Sequence, residues 1–140
     1  LSLIAPDKAI QCWGFELIPL PGFAKALTDA GIDIHTNDAN VRVGITGADA
    51  ALAGTGSLVM ISGAGKPREA SLVPPMHIAV IKADQIVPNL DKWAAATNRE
   101  AMRTSSSVVV ISGPSKTADI ANIPVKKVHG PREVHIIVLT

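Results

Sequence analysis

Four apolar runs constrain the fold most: SLVMIS at 57–62, HIAVIK at 77–82, SVVVIS at 107–112 and VHIIVL at 134–139. They do not alternate polar with apolar. The last two are β-branched and apolar on both faces, the pattern of central strands in a sheet covered on both sides. Helical or turn-rich segments separate the runs. The expected architecture is therefore α/β: a Rossmann-like, mixed but largely parallel sheet flanked by helices. With 140 residues the chain has the length of a single domain. Its 47% hydrophobic and 18% charged content exclude a disordered chain.

The remaining elements are read from local signals. Leu1 to Ala5 is a short aliphatic strand stopped by Pro6, and Asp7 opens a helical turn through Trp13. Glu16 to Leu20 reads as a second short strand. Phe23, Ala24, Ala26, Leu27 and Ala30 fall at helical spacing, with Gly31 as the C-terminal cap. Val41 to Thr46 is a strand, and Ala48 to Ala53 is rich in helix formers with Asp49 at the N-cap position. Ile86 to Met102 reads as one helix with Pro88 near its first turn. Gly63 to Met76 holds three prolines and two glycines without a helical period, a long connection of the functional or disordered kind. The strands on either side of it could pair antiparallel. ISG at 61–63 and again at 111–113 is a weak internal echo.

Composition removes several function classes. Net charge is +1, no basic block occurs, and two Trp, two Phe and no Tyr leave too few aromatics for a base-stacking platform, so nucleic acid is not an expected partner. No apolar run reaches the roughly 18 residues of a membrane span. The single cysteine, Cys12, rules out an internal disulfide, a multi-thiolate zinc site and a self-contained iron–sulfur cluster. His35, His77 and His135 show no metal-ligand spacing. No metal set and no cofactor are assigned, and a cytoplasmic location is the default. The chain opens at Leu1, without Met and inside a strand-like run, so part of the natural protein is expected to precede it.

Four loops carry the candidate chemistry, and ligands of open α/β sheets bind beyond the carboxyl ends of strands. All four are expected to converge on one sheet edge. In Gly44-Ile45-Thr46-Gly47-Ala48-Asp49, either backbone amides at Thr46 and Gly47 hold an anion or Asp49 simply caps a helix. Gly54-Thr55-Gly56-Ser57 is either a site of close backbone approach, through Thr55, Gly56 and Ser57, or a tight turn. Gly113, Pro114, Ser115, Lys116, Thr117 and Asp119 combine hydroxyls, a cation and a carboxylate after a strand, without the Walker A spacing. In His129, Gly130, Pro131, Arg132 and Glu133, the Arg132 fork either clamps an acid group or pairs with a carboxylate. His129 is either an acid–base group or a hydrogen-bonded turn residue.

GITGADAALAGTGSLVMISGAGKPREASLVPPMHIAVIKADQIVP, followed by SSVVVISGPSKTADI and VHGPREVHIIVL, resembles the LUD domain family, from about Val41 to Thr140 and more loosely before that. The resemblance implies a fold similar to the NagB/RpiA/CoA-transferase group. It also implies a place in bacterial L-lactate utilisation, the oxidation of lactate to pyruvate together with iron–sulfur partner proteins. The motif positions it marks are those of the four loops, Thr46 through Glu133. Three departures stand out: Gly54 where many relatives have Glu, Lys127 where they tend to have Gly, and no counterpart of the helical segment that many carry ahead of the first strand. Two other readings stay open, a stand-alone enzyme on this fold and a small-anion-binding module. Whether the chain is itself an enzyme, and its oligomeric state, are not legible.

Overall fold

The computed structural model describes residues 2–4, 6–97, 99–115 and 130–140. Its main layer is a sheet of five parallel strands in the order β2-β1-β3-β6-β9. The strands are β1 (Ala9–Cys12), β2 (Asp33–Ile34), β3 (Val43–Thr46), β6 (Met76–Lys82) and β9 (Glu133–Leu139). Parallel neighbours need long crossovers, and here the crossovers contain a second sheet. β4 (Ala50–Leu52) and β5 (Ser57–Ile61) lie between β3 and β6. β7 (Ile86–Val87) and β8 (Val108–Ile111) lie between β6 and β9. They assemble in the order β7-β4-β5-β8, with β4–β5 and β5–β8 antiparallel and β4–β7 parallel. The α/β class and the runs at 57–62, 77–82, 107–112 and 134–139 are thus borne out. The partition into two sheets was not read from the sequence, and β5 and β6, which flank the long connection, lie in different sheets.

One core joins the two layers. Ile10, Val43, Ile45, Ile78 and Val80 of the parallel sheet cluster with Leu58 and Met60 of β5 and with Phe23 and Leu27 of α1 (Phe23–Asp29). The helix ends as its sequence foretold. Gly31, at φ +67°, donates to the Thr28 carbonyl, and Ile32 reaches back to Leu27 at 3.0 Å. These are the paired bonds of a Schellman stop. A smaller cluster of Ala50, Leu52, Val59 and Trp93 lies on the second sheet beside α3 (Leu90–Ala96).

Several expected elements are corrected. Residues 2–4 form a turn, and the first strand is Ala9–Cys12, whose Ile10 and Gln11 are buried. Phe15–Leu17 is a short 3₁₀ turn where a strand was expected. The alanine-rich segment after Asp49 is the strand β4, because the turn at 53–56 folds it antiparallel onto β5; pairing outweighs the helix propensity of alanine. The single helix expected over 86–102 is three pieces: β7, then α3 capped by the Asn89 side chain on the Lys92 N–H (2.9 Å), then α4 (Arg99–Arg103). The long connection after Gly63 contains a short helix, α2 (Glu69–Leu72). Finally, among the described residues β8 and β9 each stand at the end of a sheet and not at its centre. Val108, Val110, Ile136, Ile137 and Val138 are each 40–43% exposed.

Candidate functional site

Three groupings, the last two joined through Gly113 and Pro114, replace the single edge expected of the four loops. The first lies at the carboxyl end of β3. Gly44 and Gly47 are there for packing: a Cβ on Gly44 would lie 1.7 Å from the Ala70 carbonyl oxygen, and one on Gly47 would lie 2.4 Å from that of Leu17. The backbone of β3 is therefore closed over by α2 and by the 3₁₀ turn. Thr46, fully buried, donates its hydroxyl to the Gly47 carbonyl and stands 2.8 Å from His77 Nε2. That leaves His77 Nε2–H as the donor to Thr46. His77 is fully buried and its Nδ1 has no partner among the described residues. Burial pushes its pKa down to about 4, so the ring is neutral.

Asp49 does not cap a helix. One carboxylate oxygen accepts from the Ile61 N–H at 2.7 Å and extends the β4–β5 ladder. The other lies 2.6 Å from Lys66 Nζ. Lys66 in turn lies 5.2 Å from the centre of the Trp13 ring. Trp13 follows β1 and bonds through its backbone N–H to Ile45. Sequence reasoning missed Trp13, Lys66 and His77 as neighbours of Thr46 and Asp49, because only strand register brings them together. The one signal was Lys66 in a long connection of the kind that often carries function.

The second grouping is a file of hydroxyls where β5 begins and β8 ends. Thr55 Oγ1 and Ser57 Oγ are 2.7 Å apart, and Ser57 Oγ and Ser112 Oγ are also 2.7 Å apart. Ser57 is buried between them. Gly56 at φ +67° makes the turn, and Gly113 at φ +96° lets the chain leave β8. Because β5 and β8 run antiparallel, the two ISG echoes sit at opposite ends of this pair.

The third grouping is at the amino end of the parallel sheet. Glu133 pairs with Met76, which pairs with Val43 at the start of β3. Arg132 and Glu133 both donate backbone N–H groups to the Pro75 carbonyl, and the Ser115 N–H donates to Pro131 at 2.7 Å. This ties Pro114 and Ser115 to Gly130 and Pro131. Arg132 is exposed, and no described carboxylate pairs with it; Glu133 faces His135 at 3.4 Å. Thr46, Gly47 and Asp49 leave the opposite end of the sheet, so the expected convergence fails: Thr46 ends the parallel strand β3, whereas Gly130 to Glu133 lead into the parallel strand β9 and so sit at the amino end. Lys116, Thr117, Asp119 and His129 lie outside the described residues.

Cys12 is half-buried, and burial raises its thiol to about 11, so it stays protonated. Among the described residues no group of three His, Cys, Asp or Glu side chains could hold a metal ion. No described helix is long and apolar enough to cross a membrane.

The parallel sheet with a second sheet carried in its crossovers defines an α/β protein with the fold of a solved relative. That relative is a DUF162 family protein from Deinococcus radiodurans, with TM-score 0.60 and 24% identity, covering 99% of this chain and 91% of that one. Residues 18–139 match the LUD domain, and the chain belongs to the LUD domain family. Among its relatives is a "Lactate utilization protein C" of Geobacillus sp., 36% identical over 78% of this chain and 51% of the relative. Another of the same name, from Halalkalibacterium halodurans, is 41% identical over 69% of this chain and 44% of the relative. "Uncharacterized protein YkgG" of Escherichia coli is 35% identical over 69% and 44%. The chain spans about half the length of these curated relatives.

Proposed function

We propose that this chain is a component of a bacterial L-lactate utilisation system. In that system lactate is oxidised to pyruvate and the electrons pass to iron–sulfur centres held by partner proteins. The observation that carries the reading is membership of the LUD family across residues 18–139, with relatives named for lactate utilisation at 36–41% identity. The oxidation releases two electrons and two protons, and the electrons need an acceptor. Cys12 is the only cysteine in these 140 residues, and it is protonated and half-buried, so they do not themselves hold a thiolate-bound cluster.

Within this reading, the loop residues Thr55, Gly56, Gly113, Pro114, Ser115, Gly130, Arg132 and Glu133 serve a small anionic ligand or the partner surface, and the buried or paired Thr46, Gly47, Asp49 and Ser57 hold the loops in place. Arg132 is the best placed of them for an anion, being exposed and unpaired with any described carboxylate. The test is genetic: deletion of the gene in its host should abolish growth on L-lactate but not on glucose, and the wild-type gene should restore it. Undiminished growth of the deletion strain on L-lactate overturns the reading.

A further inference from the structure

The connection between β5 and β6 supplies two cations, Lys66 and Arg68, to the lining of a small cavity. Trp13, Ser62, Lys66, Arg68 and Ser71 form its polar lining. The cavity measures about 10 Å³, room for one oxygen-sized group. Trp13 is 4% exposed, and its indole N–H has no acceptor among the described residues. Buried N–H groups nearly always find one, and an indole N–H can only donate. The missing partner is therefore an acceptor atom.

The surrounding charge says which kind. Asp49 pairs with Lys66, and among the described residues no carboxylate pairs with Arg68. A guanidinium with no carboxylate partner among the described residues, beside an unmet donor, favours an anionic oxygen over water. Arg68 is exposed and lines the cavity, and a planar guanidinium suits a group with two oxygens better than a spherical ion. The hydroxyls of Ser62 and Ser71 are already engaged, with Ser107 and with the Arg68 carbonyl.

We propose that this cavity receives one carboxylate oxygen of a short organic acid, with the Trp13 indole N–H and Lys66 as the inner donors and Arg68 as the outer one. The site rests on this geometry alone and not on the lactate reading, so either can fail without the other. The test follows the two indole N–H resonances of the full chain by nitrogen-15 NMR, with Trp93→Phe to assign them. Sodium acetate should shift the Trp13 resonance saturably, while equal concentrations of sodium bromide or of acetamide, its neutral isostere, should not. Arg68→Gln should weaken the acetate response about tenfold without changing the melting temperature. No acetate response, an equal response to bromide or acetamide, or full affinity in Arg68→Gln overturns the proposal.

Discussion

Lys66 Nζ lies 2.6 Å from one oxygen of Asp49, whose other oxygen accepts the Ile61 backbone N–H at 2.7 Å. This pair fastens the long connection to the start of β4, and both side chains are largely buried (22% and 17% exposed). Asp49→Ala leaves an ammonium and a backbone N–H unmet and should cost about 1–3 kcal/mol. Asp49→Asn keeps an acceptor for Ile61 and should cost less, though more than the near-zero change between good N-cap residues. Urea denaturation of both variants checks the order.

Gly44 and Gly56 separate two uses of glycine. At Gly44 a Cβ would stand 1.7 Å from the Ala70 carbonyl, so α2 must move off the sheet; Gly44→Ala should lose about 3 kcal/mol or more. At Gly56 there is open space and a φ of +67°, so Gly56→Ala pays only backbone strain, about 1–2 kcal/mol. Equal melting temperatures for the two variants would contradict this placement of α2.

His77 makes stability pH-dependent. Its folded pKa, about 4, lies below its ordinary 6.5, because burial disfavours the charged ring. The unfolded chain therefore binds the proton first. The contribution of neutral His77 is complete above pH 6.5 and is lost as pH falls toward 4, about 1.4 kcal/mol per unit in that window. His77→Leu should flatten that part of the stability–pH curve. An unchanged slope would show that other groups produce it.

Arg132→Lys tests the third grouping. Arg132 is exposed and pairs with no described carboxylate, so stability should stay within about 0.5 kcal/mol of wild type. If its fork holds an anion, growth on L-lactate should fall at unchanged protein level, since Lys keeps the charge but not the two-pronged geometry. A lowered melting temperature with growth tracking protein level would make it structural.

The legible part of the fold was whatever sequence period and composition dictate locally. SLVMIS and HIAVIK became β5 and β6, and the helix at Phe23 ended at Gly31. What failed depended on partners distant in sequence. Ala50 to Leu52 has helix-forming residues, and only the turn at 53–56 and the facing β5 make it a strand. Gly54-Thr55-Gly56 had marked that turn. The candidate residues were read loop by loop, but strand direction decides which loops meet. An antiparallel pair inside a parallel crossover sent Asp49 to one end of β5 and Ser112 to the other. Trp13 and His77 carried no motif at all; their unpartnered nitrogens become visible only once the sheets are packed.

The central claim is that this chain serves lactate oxidation only with redox centres supplied by partners, and lactate-dependent reduction of an artificial dye tests it most directly. The purified chain alone should show none, and activity should appear when the iron–sulfur proteins that co-purify with it from lactate-grown cells are added back. Dye reduction by the chain alone, or none even with those proteins present, would contradict the account.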